Sequence, residues 1–270
     1  MAMISRSLIL AVFITVATGL SVSAQTNEPE PRAIPAPETY QKKGLSSGVG
    51  FHMFINNFGF GLGGQFRKVV GPFSQVTATI DLTGVRDVSE QRFQFFDQQV
   101  IPNKYRRVIG APMLVGFKHR LFPYQIADNF RLYGMVEGGA IMATVIPYFE
   151  DFNNNGFRDV QPPHNRLLIE PINDIFEGWK EATIEWGYAG RIKLGVDFGN
   201  NFKKLSSVEF GYNFYYFPQG IQMMEPRRPV LNNQGEPVYD EDQVMQTRPF
   251  YDSMSFFGTP QISLVFGSFW

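Results

Sequence analysis

Long stretches of this chain alternate between apolar residues and residues that are polar or small. In residues 58–67, FGFGLGGQFR, the apolar Phe58, Phe60, Leu62 and Phe66 alternate with glycine, glutamine and arginine. A period of two is that of a β-strand with one apolar face. The period recurs in eight segments, near 45–55, 58–69, 74–84, 105–119, 130–146, 182–198, 205–217 and 253–270.

The length of these segments decides the class of β structure. Most of them reach the ~9–11 residues that a tilted strand needs to cross a bilayer, whereas strands of soluble domains have ~5–6. After residue 24 no segment is apolar enough for a spanning helix, so a membrane form of the protein must be a barrel. The sequence therefore predicts an all-β fold, an eight-stranded antiparallel transmembrane β-barrel with up-and-down topology.

Short and long connections alternate between the predicted strands. Outer-membrane barrels have short periplasmic turns and long outer loops. The first outer connection is an exception, a tight turn at Asn56 and Asn57, residues that tolerate positive φ. The shorter connections are 70–73, 120–129 and 199–204, and the long ones are 85–104, 147–181 and 218–252.

Two strands fit the pattern less well because they contain proline. Pro112 falls in the fourth strand and Pro260 in the eighth, and a proline removes one hydrogen bond from a β ladder. We expect a bulge or irregular pairing at both positions. In the fourth strand Val108 and Leu114 also fall on the face assigned to the lumen.

The N-terminal residues predict export. Arg6 precedes an apolar run, and Val22 and Ala24 occupy the small-residue positions of a secretory cleavage site, so cleavage is expected between Ala24 and Gln25. A membrane anchor is the less favoured alternative, because the run is shorter than the ~20 residues of a spanning helix. The following segment is rich in proline and charge, which favours an extended periplasmic tether. The predicted domains are a signal peptide at 1–24, the tether at 25–43 and the barrel at 44–270.

The C-terminal stretch QISLVFGSFW places Ile262, Leu264, Phe266 and Trp270 on one face. In a closed barrel the last strand pairs with the first, so these side chains are expected to face lipid. An aromatic C-terminal residue after alternating apolar positions resembles the C-terminal signature of bacterial outer-membrane barrels, which their insertion machinery reads. The pattern over 44–270 resembles the small outer-membrane barrels of the OmpA, OmpX and OmpW kind. That resemblance implies the bacterial outer membrane as the location and carries no specific function.

Aromatic residues at strand ends predict the membrane girdles of such a barrel. Trp270 is expected in the periplasmic girdle because it ends the last strand. The other predicted girdle residues are Phe73 and Phe202 on the periplasmic side, and Phe58, Trp186 and Tyr216 on the outer side.

Charged residues alternate onto the face that would line the lumen. An eight-stranded barrel has an interior just wide enough to be filled by side chains, and unpaired charges there would be costly, so the charges are expected to pair. We favour a structural plug over a narrow ion path, although inward glycines could leave free volume for a path. The predicted cluster comprises Asp81, Glu137 and Glu209 with Arg131, Arg191 and Lys193.

The third long loop contains DFNNNGFRD, which resembles the DxNxNGxxD calcium loops of secreted proteins. Gly156 holds the sixth position, where a sharp turn is required. The twelfth position is Pro162 instead of a bidentate acid, so only weak binding of calcium is predicted, unless Glu150 or a distant acid contributes. A turn with no ion is the alternative. The predicted ligands are Asp151, Asn153, Asn155 and Asp159, with the carbonyl of Phe157.

Composition excludes several other functions. A net charge of −1 offers no electrostatic case for nucleic acid, and the absence of cysteine excludes disulfides and thiolate sites. The three histidines, His52, His119 and His164, raise the alternative of an outer-leaflet lipid-modifying enzyme, but no G-x-S-x-G nucleophile motif accompanies them.

The sequence thus predicts a non-enzymatic, membrane-anchored protein. The predicted protein has a structural role, takes part in surface interactions, or is a subunit of an envelope complex. The main alternative is a narrow passive pore for small solutes. The expected partners are the lipid bilayer, the barrel-insertion machinery through the C-terminal strand, and an envelope protein. No cofactor is expected apart from the weakly bound calcium. Aromatic-rich outer loops on a rigid scaffold suit the binding of a partner.

Overall fold

The structure is a computed structural model that describes residues 36–95, 98–159, 170–174 and 176–270. The predicted signal peptide, the first part of the predicted tether and His164 lie outside the described residues. The described part contains one 3-10 turn, Trp179–Glu181. Its strands are β1 (Ser47–Asn56), β2 (Gly59–Val69), β3 (Ser74–Val85), β4 (Phe93–Phe95), β5 (Gln98–Val100), β6 (Arg106–Arg120), β7 (Phe130–Pro147), β8 (Thr183–Phe198), β9 (Lys204–Ile221), β10 (Arg227–Pro229), β11 (Thr247–Pro249) and β12 (Met254–Phe269).

No described helix has the length and apolar character needed to cross a membrane.

Eight strands close into an antiparallel barrel in the order β1-β12-β9-β8-β7-β6-β3-β2. The ring closes where β12 pairs with β1, from Gly48 opposite Phe269 to Asn56 opposite Gln261. Trp270 extends this closure, because its backbone oxygen accepts hydrogen bonds from the amides of Ser46 (2.8 Å) and Ser47 (3.1 Å). The predicted eight-stranded meander is therefore confirmed.

The two ends of the barrel differ in their connections. We call the end with residues 57–58, 86–105, 148–182 and 222–253 the loop end, and the end with residues 70–73, 121–129 and 199–203 the turn end. Two short hairpins, β4/β5 and β10/β11, lie within the long connections. Strand length is uneven, from 10 residues in β1 to 18 in β7 and β9, so the barrel wall is taller on one side.

The first loop-end turn lies one residue later than predicted, at Asn57 and Phe58. Asn56 ends β1, and its side-chain oxygen accepts hydrogen bonds from the amides of Phe58 (2.9 Å) and Gly59 (3.0 Å). Gly59 has a φ of 132°, which favours glycine. The turn directs Phe58 into the barrel, where 6% of its surface is exposed. Its predicted place in the outer girdle is wrong.

Only one of the two strand prolines disturbs the pairing. The β3–β6 ladder is interrupted between Ile80–Met113 and Thr83–Gly110, at the level of Pro112, as predicted. Pro260 pairs in register with Tyr212 of β9 and lies beyond the last β1–β12 pair. The bulge predicted there is wrong, and the irregularity of β12 lies between Met254 and Phe256 instead.

The outer surface of the barrel is apolar, as the alternation predicts. Ile80, Ile192, Phe210 and Ile262 each expose more than half of their surface, while the intervening residues of the same strands face the lumen. Such a continuous apolar band is expected of a surface that contacts hydrocarbon.

Candidate functional site

Charged side chains fill the middle of the lumen. We call this set the ionic layer, and each of its members is at most 3% exposed. Every barrel strand points alternate residues inward, so side chains from six strands meet here. The layer consists of Arg67 from β2, Asp81 from β3, Lys118 from β6, Glu137 from β7, Arg191, Lys193 and Asp197 from β8, and Glu209 from β9.

One half of the ionic layer is centred on Arg191. Its guanidinium contacts Asp81 and lies 3.5 Å from Glu137. Glu137 also accepts hydrogen bonds from the hydroxyls of Thr77 (3.0 Å) and Thr79 (2.7 Å). His52 Nε2 lies 2.7 Å from Asp81. The structure thus brings together Asp81, Glu137 and Arg191, three residues of the predicted cluster.

The other half contains two carboxylates joined by Arg67. Glu209 lies 2.6 Å from Lys193 and 3.2 Å from Arg67, and it accepts a hydrogen bond from the hydroxyl of Tyr133 (2.7 Å). Arg67 reaches Asp197 at 3.5 Å. Every carboxylate of this layer therefore contacts a cation, which is the arrangement that buried charges require.

Arg131, the sixth residue of the predicted cluster, lies at the edge of this layer, opposite Asp197 in the β7–β8 ladder. It is near the turn end, where its Nη1 donates to the backbone oxygens of Asp128 and Gly199. The structure gives it no ion pair within the described residues.

Apolar side chains fill the lumen between the ionic layer and the loop end. We call this set the apolar layer. The sequence interpretation placed only Val108 and Leu114 on the lumen face and did not predict the layer as a whole. The signal was present in β6 and β7, where apolar residues occupy both faces near the loop end. Its members are Phe58, Val85, Val108, Leu114, Ile141, Ala143, Val145, Ala189, Tyr215, Phe217, Ile221, Met223 and Phe257.

Inward glycines do not provide the free volume that the sequence interpretation allowed for. A Cβ built on Gly61 would lie 2.2 Å from the ring of Phe54, and one on Gly63 would lie 2.1 Å from Asp81. The same atom on Gly211 would lie 2.6 Å from Lys193. These glycines make room for neighbouring side chains that fill the lumen, because protein interiors pack without spare space.

A third cluster closes the turn end. Tyr40, from the predicted tether, packs between the rings of Phe202 (5.0 Å) and Phe269 (4.5 Å), and its hydroxyl lies 3.4 Å from Asp197. Burial raises the pKa of Tyr40 to about 12, and the charge of Asp197 adds to the effect. We call this cluster the stopper, and it comprises Tyr40, Leu45, Phe202, Leu205, Val265 and Phe269.

The stopper corrects one predicted girdle residue. Phe202 is 4% exposed and faces the barrel interior, so its place in the periplasmic girdle is wrong. An aromatic residue in a turn can fold toward either side of the wall, and alternation does not extend into the turn. Trp186, Tyr216 and Trp270 are 57%, 46% and 56% exposed on the outer surface, and Phe73 is half-buried at the turn end against Tyr124 (6.0 Å).

The long connections pack on one another at the loop end, and we call their described parts the loop cap. The amide of Tyr148 donates to Tyr105, which joins the second and third loops. A bridge between Lys104 and Met224 joins the second and fourth. The amide of Arg158 donates to Glu225 at 3.0 Å, which joins the third and fourth.

Two acids in the loop cap lie in an environment that disfavours their charge. Burial raises the pKa of Glu225 to about 7, opposed by the hydrogen bond and charge of Arg158 and assisted by the charge of Glu170. Burial also raises the pKa of Glu170, although the amides of Asp159 and Phe152 stabilise its charged form.

The predicted calcium loop forms a compact turn. Asp151 accepts hydrogen bonds from the amides of Asn155 and Gly156, both at 3.1 Å, and the side-chain amides of Asn153 (2.7 Å) and Asn155 (3.2 Å) donate to Asp159. Gly156 has a φ of 84°. Phe157 is buried, and its amide donates to the Asn155 side chain (3.0 Å).

The twelfth position of this loop has no acid, but Glu170, outside the loop, bonds to its backbone. The carboxylate of Glu170 accepts hydrogen bonds from the amides of Phe152 (3.0 Å) and Asp159 (2.9 Å). Among the described residues, no three histidine, aspartate or glutamate side chains are placed to hold a metal ion. Calcium binding by this loop stays a prediction.

The described histidines do not form a hydrolytic site. His52 is 1% exposed and lies beside Asp81 of the ionic layer. His119 Nδ1 lies 2.9 Å from the hydroxyl of Ser74 on the exposed side of the turn end, a pair that the sequence interpretation did not anticipate. In the described part of the chain, the structure gives His119 no carboxylate partner that would complete a triad.

The chain is similar to known eight-stranded barrels. Neisserial surface protein A is 6% identical, over 84% of this chain and 96% of that one, with a TM-score of 0.37. Ail, the attachment invasion locus protein of Yersinia pestis, is 10% identical over 84% of this chain and 97% of its own, with TM-scores of 0.35 and 0.34 in two structures. No family model and no curated protein matches the chain. The strand pairing of this chain itself shows a closed ring of eight antiparallel strands.

Proposed function

We propose that this protein is exported to the bacterial outer membrane, where a sealed barrel anchors the loop cap at the cell surface for contact with another envelope or surface component. The observation that carries the proposal is the filling of the lumen by the apolar layer, the ionic layer and the stopper. A barrel whose interior is filled by side chains is suited to act as a rigid scaffold for functional loops.

The chemistry of the loop cap supports an interaction role. Its three long connections hydrogen-bond to one another, so a partner would meet a surface already ordered. The cap also exposes large apolar side chains, which is typical of surfaces that bind other molecules. These exposed residues include Val88, Phe152, Phe176, Leu231 and Tyr239.

The proposal includes insertion through the C-terminal strand. Ile262, Leu264 and Phe266 face outward on β12, and the backbone of Trp270 bonds to the start of β1. We propose that the insertion machinery reads this strand before it closes the ring. The proposal assigns no catalytic chemistry to the protein.

Site-specific photocrosslinking in intact cells tests the interaction role. A crosslinking residue at Leu231 or Tyr239, both more than half exposed in the loop cap, should give a discrete protein or glycan adduct. The same residue at Ile262 on the apolar surface should give only lipid adducts. If no loop position gives a discrete adduct while the barrel is correctly inserted, the interaction role is wrong.

The pore alternative requires a continuous water path, which the three filled levels of the lumen oppose. Conductance measurements in planar bilayers distinguish the two functions.

A further inference from the structure

Among the described residues, one buried cation of the barrel has no acidic partner. Seven arginine and lysine side chains of the described residues are buried, and Arg131 differs from the other six because no carboxylate contacts it. The six that form an ion pair are Arg67, Lys104, Lys118, Arg120, Arg191 and Lys193.

The guanidinium of Arg131 is also incompletely hydrogen-bonded. Its Nη1 donates to two backbone oxygens, and its plane stacks on the ring of Phe202 at 4.4 Å. Its Nε and Nη2 have no hydrogen-bond partner among the described atoms, although the side chain is only 2% exposed. A buried charge with unmet donors is costly unless an ion or water satisfies it.

A cavity of about 20 Å³ lies beside Arg131. Lys118 and Arg120 also line it, and Nε of Arg120 is a second buried donor without a partner among the described atoms. Tyr40 and Glu38 close it from the turn end. The volume is enough for one water molecule or one monatomic ion, and three surrounding cations favour a negative charge.

The acids near this cavity do not supply that charge. Asp197 lines the cavity, but its oxygens are engaged by Lys118 at 2.7 Å and Ser207 at 2.6 Å. Asp128 lies 2.8 Å from Arg120. Glu38, which also lines the cavity, lies 3.2 Å from Lys43. After these pairs are counted among the described residues, the charge of Arg131 is the one left over.

We propose that this cavity binds one chloride ion, held by the free N–H groups of Arg131 and Arg120. The ion neutralises Arg131. It also holds the segment that contains Glu38 and Tyr40 in place, because Arg120 donates to the backbone oxygen of Glu38 at 3.3 Å. The site lies at the turn-end edge of the ionic layer, whose Lys118 and Asp197 line it. It is away from the loop cap, so it does not depend on the proposed surface interaction.

Bromide substitution tests the site directly. Crystals of the full barrel grown in bromide in place of chloride should show one anomalous difference peak beside the Arg131 guanidinium. Density for a water molecule without anomalous signal at that position would overturn the proposal. This measurement needs no variant, so it does not depend on the folding of a mutant.

A stability titration provides the second test. The unfolding temperature of the wild-type barrel in detergent should rise and saturate as sodium gluconate is exchanged for sodium chloride at constant ionic strength. Arg131→Gln should lose this rise, and Lys180→Gln, a change to an exposed side chain at the loop end, should keep it. Equal responses of the wild-type protein and Arg131→Gln would contradict a site at Arg131.

Discussion

The ionic layer and the apolar layer fill the same lumen by different interactions. In the ionic layer, each side chain depends on specific partners from other strands, such as the contacts of Arg191 with Asp81 and Glu137. In the apolar layer, Ile141 and its neighbours depend on volume and shape. The ionic layer is therefore stable only when it is complete, whereas the apolar layer tolerates exchanges that conserve volume.

The largest effect is expected from breaking one pair of the ionic layer. Arg191→Ala leaves Asp81 and Glu137 without their shared cation, and removing one partner of a buried pair costs about 3–5 kcal/mol. Urea unfolding in detergent measures this loss. Arg227→Ala, at an exposed position of β10, is the control and should be close to neutral. A loss no greater than that of the control would show that the ionic layer does not stabilise the barrel.

A cavity in the apolar layer should have the next largest effect. Ile141 is fully buried, so Ile141→Ala should cost about 2–5 kcal/mol and Ile141→Val about 0.5–1.5 kcal/mol. Ile184→Ala, on the exposed outer face, should cost less than Ile141→Ala in the same assay. If the alanine and valine variants at Ile141 were equally destabilised, volume would not be the quantity that matters in this layer.

A charged side chain introduced on the outer surface tests which face of the barrel wall contacts lipid. Leu264→Arg places a guanidinium among the outward residues of β12 and should cost about 2–4 kcal/mol near the middle of the bilayer. Leu231→Arg, in the exposed loop cap, should be nearly neutral. Equal losses of folded, heat-modifiable protein on gels would contradict the assignment of this face to lipid.

A smaller effect of pH is expected at Glu225, in the loop cap beyond the apolar layer. Its raised pKa of about 7, against an ordinary 4.5, means that the folded state binds the proton more tightly. The contribution to stability is complete below about pH 4.5 and is lost as the pH rises through 7.

Protease digestion at two pH values checks this prediction. The ratio of wild-type to Glu225→Gln cleavage rates in the loop cap should increase from pH 5 to pH 8, since only the wild type gains a buried charge. A ratio that does not change with pH would contradict the prediction that ionisation of Glu225 destabilises the loop cap.

The smallest effect is expected from calcium. Millimolar calcium should slow tryptic cleavage after Arg158 relative to chelator, because a cation would draw the oxygens of Asp151 and Asp159 together. Asp151→Asn should weaken this protection, and magnesium at the same concentration serves as the control ion. Identical digestion with calcium and with chelator would contradict the calcium prediction.

Alternation predicted the barrel wall but not all of its interior. The approximate strand bounds and the outward face could be predicted from the period of two. Successive side chains of a strand point to opposite sides of the barrel wall, so one set faces outward and the other faces the lumen. The apolar layer was not recognised as a set. Val108 and Leu114 were assigned to the lumen face but were treated as departures from the pattern, and Ile141 belongs to a segment that is apolar on both faces. Such segments show no alternation from which an inward face could be assigned.

The contacts within the site depend on features that alternation does not encode. The pairing of Glu137 with Arg191 follows from neighbouring strands, whereas the position of Arg67 between Glu209 and Asp197 depends on contacts across the lumen. The stopper depends on the contact between Tyr40 and Phe202 at the turn end of the barrel. Neither the composition of the segment around Tyr40 nor the spacing of its residues indicates that contact.

Single-channel recording in planar bilayers tests the central claim that the lumen is sealed. The wild-type barrel should give no stable conductance steps. Arg191→Gly, which empties the centre of the ionic layer, should still be blocked by the apolar layer and the stopper. Stable steps from the wild-type protein, altered in size by Glu137→Ala or Arg191→Ala, would show an open path through the barrel and contradict the account.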